Sequence, residues 1–354
     1  MPTNPARGVK PKSHPSAPLC TVLLILALPE EQQYLYEVME SRPGWDAGLK
    51  LRINDCTYDS PDGPVRVIVS VLDGMGPVEA ALGTASAITT YSPDLVIMVG
   101  LAGALDHDKV GLGDVVVSNS AKLYTVDKVG AAGQVGHKYR FSAPADAGKA
   151  RPSNEVWVDP RDRFMDHSFM RYLRDVVRCS TADQVLASVT KKLLSCPLGQ
   201  LEPSWIPERF KDSKPFQRGR SVQAGCILGS AHVVDSGEYR AYLLEKNDKT
   251  DQDIYHQVGS SRNTWEKGPL LAVDMESYAL LRAVNDAMGR PSSMGGCDTL
   301  VGGLLVRGIS DMCEEKSDLD QTTGEDVRRL AVANATLVGL TLIESLDYPA
   351  LLKR

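Results

Sequence analysis

The stretch LLVRGISDM, residues 304–312, decides the fold class. An apolar run stops on Gly-Ile-Ser-Asp and leaves a single carboxylate, Asp311, at its end. Alone it says little, because strands of open parallel sheets often end on Asp or Ser. Two other apolar runs end the same way: AVDMESYALL (272–281) delivers Asp274 and Glu276, and ILALPEEQQ (25–33) delivers Glu30 and Glu31. In open α/β sheets ligands bind outside the carboxyl ends of the strands. Three acid-bearing strand ends therefore predict a site at one edge of one sheet.

The segments between these ends alternate strand and helix. VRVIVSVL (65–72), DLVIMVGL (94–101) and GDVVVSN (113–119) read as strands, and PVEAALGTASAITTY (77–91) as a helix opened by proline at its first turn. Leu280, Ala283, Val284, Ala287 and Met288 recur at helical spacing, and Gly289 with Pro291 supplies the stop. A last helix is predicted from Thr323, with Asp326 as a capping-box partner and Val327, Ala331, Ala335, Val338 and Leu342 on one face. The pattern implies an α/β fold, a three-layer sandwich around a central mixed, largely parallel sheet. Residues from about 130 to 220 break the rhythm. Within them, SFMRYLRDVVR (Phe169, Leu173, Val176, Val177) and the later Val185, Val189 and Leu193 predict two amphipathic helices. We read one domain over 19–346 elaborated at about 130–220, a disordered leader over 1–18 and a short tail over 347–354.

At 354 residues the chain is long enough for a sizeable core, and its net charge of -6 argues against a dedicated nucleic-acid binder. The seven cysteines are scattered, with no close CxxC pair, which suggests neither a disulfide framework nor a zinc site and fits a reducing cytoplasm. Arg7, Lys10 and Lys12 ahead of LCTVLLILAL (19–28) mimic a signal peptide. The run is too short to span a bilayer and is followed by Pro29-Glu30-Glu31, so it reads as a buried first strand and no membrane partner is expected.

Together with VLDGMGPVEAA (71–81), MVGLAGAL (98–105) and VGLGDVVVSN (110–119), the three strand ends resemble the purine nucleoside phosphorylase superfamily, and most closely its hydrolytic branch, the methylthioadenosine/S-adenosylhomocysteine nucleosidases. The likeness covers roughly residues 19–129 and 221–346, in the family's chain order. It implies that Asp311 is the acid that protonates a purine at N7 and that Glu31, with Glu30 as competitor, activates water. Met275 would lie against the ribose and Glu276 would accept hydrogen bonds from its hydroxyls. Gly76, Ala102 and Gly103 would bring backbone close to the ligand, and His232, Val233 and Val234 would fall at the base. The structural readings of the same residues are a strand-end Asp, a solvated helix-start Glu and glycines that merely permit turns.

Where phosphorylases of the family hold phosphate with Arg and Ser, this chain has Met98 and Leu101, which favours water as nucleophile. The expected activity is hydrolysis of the N-glycosidic bond of a purine nucleoside or derivative, by a homodimer or larger homo-oligomer without cofactor. The DHD triplet at 106–108 reads as surface and no metal is assigned. Three alternatives stay open: a phosphorylase, a nucleotide N-glycosidase acting as a stress or defence effector, and a nucleoside-binding sensor without turnover. Arg218 and Arg220, in a basic stretch at 209–220, are the candidate phosphate ligands for a nucleotide, against the plainer reading of a solvated loop.

Overall fold

The computed structural model describes residues 17–46, 55–128, 171–231, 233–235, 237, 240, 241, 243, 244, 269–294, 296–314, 316–323 and 325–352. The leader (up to residue 16), Phe169 and His232 lie outside the described residues.

The first apolar run forms β1 (Cys20–Leu26), which leads directly into α1 (Pro29–Glu40). A short β2 (Trp45–Asp46) and the hairpin β3 (Asp55–Ser60) and β4 (Gly63–Val71) follow, then α2 (Pro77–Tyr91) and the ten-residue β5 (Leu95–Ala104). Next come β6 (Val115–Ser118), β7 (Ser120–Lys128), β8 (Arg171–Arg178), α3 (Asp183–Leu194), a one-turn α4 (Lys214–Gln217), β9 (Val222–Ala224) and β10 (Cys226–Gly229). The chain continues through β11 (Leu270–Asp274), α5 (Ser277–Met288), β12 (Gly303–Asp311), α6 (Lys316–Thr323), α7 (Asp326–Ser345) and α8 (Tyr348–Leu352).

All described strands join one sheet. It is parallel along β4–β1–β5–β12, and antiparallel where β6 meets β12, where β11 meets β5, and at the β2–β3–β4 and β7–β8 edges. Helices cover both faces. A Cβ on Gly303 would press on Leu281 and Val284 of α5, whereas one on Gly308 would strike the backbone of Ala331 in α7. Five residues apart on a regular strand, those two positions face opposite sides. The predicted three-layer α/β sandwich with a mixed sheet is therefore present. β1, β5 and β12 are buried along almost their whole length, as expected for central strands covered on both faces. Pairing of β12 with β5 slips by one residue near its end: Ile309 lies opposite Ala102 and Asp311 opposite Gly103, leaving Ser310 as a bulge.

Two sequence expectations are corrected. Residues 171–178 form a strand and not a helix; Val176 and Val177 pair with Lys122 and Ala121 of β7, and ladder pairing of β-branched residues outweighs their helical spacing. Thr323 closes α6 instead of opening the last helix: its hydroxyl bonds back to the Leu319 carbonyl, and α7 starts at Asp326 after Glu325. The helices predicted around Val185–Leu193 and Leu280–Met288 stand as α3 and α5.

Candidate active site

The three acid-bearing strand ends meet at the carboxyl edge of β1, β5, β11 and β12, around a cavity whose lining includes Glu31, Asp274, Glu276, Arg307 and Asp311. Its volume is about 110 Å³, below the roughly 300–1,000 Å³ usual for ligand sites, and the exposed Val233 is part of its lining. A ligand the size of a nucleoside would thus extend beyond this volume. The larger hollow of about 850 Å³, between α2 and α5, contains none of these five groups.

Glu31 sits in the first turn of α1 and is 2% exposed, while Glu30 beside it faces solvent. Its Oε2 accepts from the amides of Ala27 (2.8 Å) and Leu28 (3.0 Å), and its Oε1 from the amide of Leu101 (3.1 Å). Burial pushes the carboxyl above its ordinary pKa, against the opposing pull of Arg307 and of those three amides. Of the two adjacent glutamates, only Glu31 is turned into the cavity.

Asp311, at the end of β12, is 5% exposed. Its Oδ1 accepts from the Cys313 amide (3.0 Å), and its Oδ2 from the Ser310 hydroxyl (3.1 Å), with the Lys316 ammonium 3.4 Å away. Gly103 makes this fit: a Cβ there would lie 2.7 Å from Asp311 Oδ1 and 2.5 Å from Cys313 Sγ.

Beside Glu31 lies a buried ionic cluster. Arg307, 0% exposed, donates from Nε to Asp274 Oδ2 (2.6 Å) and from Nη2 to Glu276 Oε2 (2.9 Å). Glu276 Oε1 accepts from the Gly76 amide (3.0 Å), which a positive φ of 111° aims at it. Asp274 also holds the start of α5 through the Ser277 amide (3.1 Å) and hydroxyl. The Glu276 carboxyl is raised by burial first, then by Asp274, and lowered by Arg307. Arg307 Nη1 is buried with no hydrogen-bond partner among the described residues. It points toward Gly100 and Glu31: a Cβ on Gly100 would be 2.4 Å from Nη1 and 2.6 Å from Glu31 Oε1.

The structure thus brings together Glu31, Asp311, Met275, Glu276, Ala102, Gly103, Val233 and Val234 around one cavity, with Gly76 bound to Glu276. It does not bring Arg218 or Arg220 there. Arg218 pairs with the buried Asp114 (2.8 Å) and the Lys109 carbonyl, and Arg220 with the carbonyls of Leu112, Pro215 and Arg218. Both guanidiniums fasten the 214–221 segment to the turn before β6. His107 of the DHD triplet is largely buried, not at the surface, with Nε2 2.8 Å from the Met312 carbonyl, and burial pushes its pKa down to about 4. No group of three or more metal-ligating side chains occurs among the described residues. Sequence reasoning missed Arg307, Ser310 and Lys316. The signal for Arg307 was available, since an arginine inside a nine-residue apolar strand needs buried anionic partners.

The phosphorylase superfamily, as a family model, matches residues 21–187, just under half the chain, and so bears out the resemblance read from the sequence. Among curated proteins, the 5'-methylthioadenosine/S-adenosylhomocysteine nucleosidase of Staphylococcus carnosus (strain TM300) is 43% identical over 60 residues, 17% of this chain and 26% of the relative. That of Staphylococcus aureus (strain MRSA252) is 39% identical over 62 residues, 18% of this chain and 27% of the relative. The chain thus spans about a quarter of the length of the curated relatives it matches. Similar solved structures include the same nucleosidase from Neisseria meningitidis in complex with methylthio-immucillin-A (TM-score 0.47, 18% identity, covering 92% of this chain and 99% of that one). Another is futalosine hydrolase of Helicobacter pylori (TM-score 0.48, 14% identity, covering 93% and 99%).

Proposed function

We propose that this chain hydrolyses the N-glycosidic bond of a purine nucleoside or derivative. The observation that carries the reading is the pair of buried carboxylates, Glu31 and Asp311, held on opposite sides of the β5–β12 pair. Glu31 and Arg307 flank Gly100, Asp311 flanks Gly103, and residues three apart on a strand face opposite ways. Cleaving such a bond needs an acid at the departing base and a base at the attacking water, with an electron-poor sugar between them. Asp311 gives its proton to N7 as the C1'–N9 electron pair moves into the purine. Water bonds to C1', and Glu31 takes the proton that the water loses. Glu276, beside Met275, is the acceptor for the ribose hydroxyls, a task that suits a carboxylate with two acceptor oxygens. Free base and free ribose derivative leave, and the next turnover requires only that the proton pass from Glu31 back to Asp311 through solvent.

Electrostatics favour water over phosphate. Three buried carboxylates, Glu31, Asp274 and Glu276, surround one guanidinium, so this side of the cavity disfavours an incoming dianion while stabilising positive charge on the sugar. Met98 is fully buried in β5, and the Leu101 amide is occupied by Glu31. The deciding experiment is chromatography of nucleosides incubated with and without phosphate. Free ribose products at a phosphate-independent rate are expected; ribose 1-phosphate would overturn the reading.

A second reading, a 5'-phosphorylated substrate, is favoured by one observation: Arg328 lines this cavity and has no ion-pair partner among the described residues. On that reading Arg328, and not Arg218 or Arg220, meets the phosphate, and Arg328→Ala lowers kcat/KM for a nucleotide more than for its nucleoside. As the resemblance implies, we further propose a cytoplasmic homodimer or larger assembly, checked by sedimentation of the purified protein.

A further inference from the structure

The segment after the acid serves two cavities. Asp311 and Cys313 line the active cavity, whereas Met312 and Glu314 line a second hollow of about 300 Å³ that shares no lining residue with the first. Its other walls come from the elaboration. Two single-turn helices, Pro203–Trp205 and Glu208–Phe210, add Trp205, Ile206 and Phe210 to Met312 and to Leu319 of α6. Pro203 and Pro207 fix the backbone where those turns begin. Phe210, Met312 and Leu319 are buried, and Phe210 is held from behind by the edge of His107 (5.0 Å) and by stacking on Phe216 (5.9 Å). The hollow is therefore formed without a ligand, at the lower end of the roughly 300–1,000 Å³ usual for small-molecule sites. The proposed bond cleavage makes no use of it.

One sheltered charge lies among these apolar walls. The Glu314 side chain is 17% exposed, and no donor among the described residues is within hydrogen-bond distance: Arg209 Nη2 is 3.6 Å away and His107 Nδ1 3.9 Å. His107 offers nothing, because Nε2, at 2.8 Å from the Met312 carbonyl, carries the ring proton, and Nδ1 is then a bare acceptor on a ring that burial keeps neutral at pH 7. The Arg209 guanidinium lies over the Phe210 ring (4.7 Å), and Lys211 is paired with Glu208 at the rim. A carboxylate accepts about four hydrogen bonds, so Glu314 calls for a donor from within the hollow. Trp205, in the same lining, makes no ring or cation contact among the described residues, and indole is the best aromatic surface for a cation. A space this small is spanned by one small molecule. We propose that the hollow is a second ligand site and that it takes an ammonium joined to a flat apolar body, the chemistry of an arylalkylamine. The ammonium donates to Glu314, and the ring fills the space lined by Trp205, Ile206 and Leu319. An anion is repelled by Glu314, and a neutral ligand strips its water without replacing it.

Calorimetry on the full chain with phenethylamine, phenylethanol and phenylpropionate separates charge from shape, since the three share a ring and a two-carbon chain. The amine should bind at one site, about ten- to a hundredfold more tightly than either analogue, the worth of a hydrogen bond to a charged group. Glu314→Gln keeps the shape and should remove that advantage. Thr322→Trp fills the hollow from an exposed position in its lining and should abolish binding, which carries the test should Glu314→Gln fail to fold. The acids of the active cavity also attract cations, so Glu31→Gln and Asp311→Asn are the controls, and affinity should be unchanged in both. Equal binding of the three probes, no saturable binding of the amine, or an affinity lost in the two controls and kept in Thr322→Trp overturns the assignment. None of these readouts requires turnover, so the site and the hydrolytic reading fail separately.

Discussion

Replacing Arg307 by methionine tests the ionic cluster most directly. Methionine preserves much of the volume and fits an apolar strand, so the main loss is charge. In the wild type, Arg307 is the guanidinium that Asp274 and Glu276 share, and its attraction also lowers the carboxyl of Glu31. All three acids are no more than 7% exposed. Leaving buried charges without their partner costs about 3–5 kcal/mol, a large part of the roughly 5–15 kcal/mol that holds a domain together. The loss should depend on pH in a defined direction. Burial already raises the folded-state pKa of Glu31 and Glu276, and removing Arg307 raises both further. A folded acid with a raised pKa binds more protons than the unfolded chain, so its contribution to stability declines as pH rises through the window between the two values. The penalty of Arg307→Met is therefore smaller near pH 5 than near pH 8. Urea unfolding followed by tryptophan fluorescence at both pH values measures it. A loss below about 1 kcal/mol at pH 8, or an equal loss at both, would refute the reasoning, because a buried acid cluster cannot lose its shared cation that cheaply.

Asp311→Asn should lower turnover by about 10²–10⁴ with little change in ligand affinity, since the amide cannot supply a proton; steady-state kinetics with calorimetry checks this. Glu31→Gln should be similarly damaging, whereas Glu30→Gln, on the exposed neighbour, should behave as wild type in the same assay. Because Glu31 must be ionised to act as base and its pKa is raised, kcat/KM should rise with pH through a value above the ordinary carboxylate range. That limb should vanish in Glu31→Gln. Gly100→Ala places a methyl within 2.6 Å of both Arg307 Nη1 and Glu31 Oε1, so turnover should fall at least about tenfold, the effect expected when reacting groups are displaced by an ångström or so.

Much of this site was legible because it is local in sequence. Each acid ends its own apolar run, and an apolar run that stops on an acid signals a strand end whatever the rest of the chain does. What was not legible depended on partners distant in sequence. Arg307 acquires its meaning from Asp274 and Glu276 on another segment, and Arg218 looked free until Asp114 was found facing it. The Arg171–Arg178 strand was missed because its spacing suits a helix, and only the edge of β7 determines otherwise. Choosing between Glu30 and Glu31 likewise needed the direction of the first turn of α1, which follows from how β1 enters the helix.

The bulge at Ser310 sets a parity. On an unbroken strand, positions 307, 309 and 311 would all point the same way. The extra residue puts Arg307 opposite Gly100 and Asp311 opposite Gly103, on two different sides. The two ends of the proposed reaction are thus separated by a count of residues as much as by the identity of any side chain. Point substitutions around the cavity can retune it step by step. Straightening β12 without changing its length would put Asp311 opposite Ala104, on the side already held by Glu31, so the bulge as much as the residue after it keeps the acid in place.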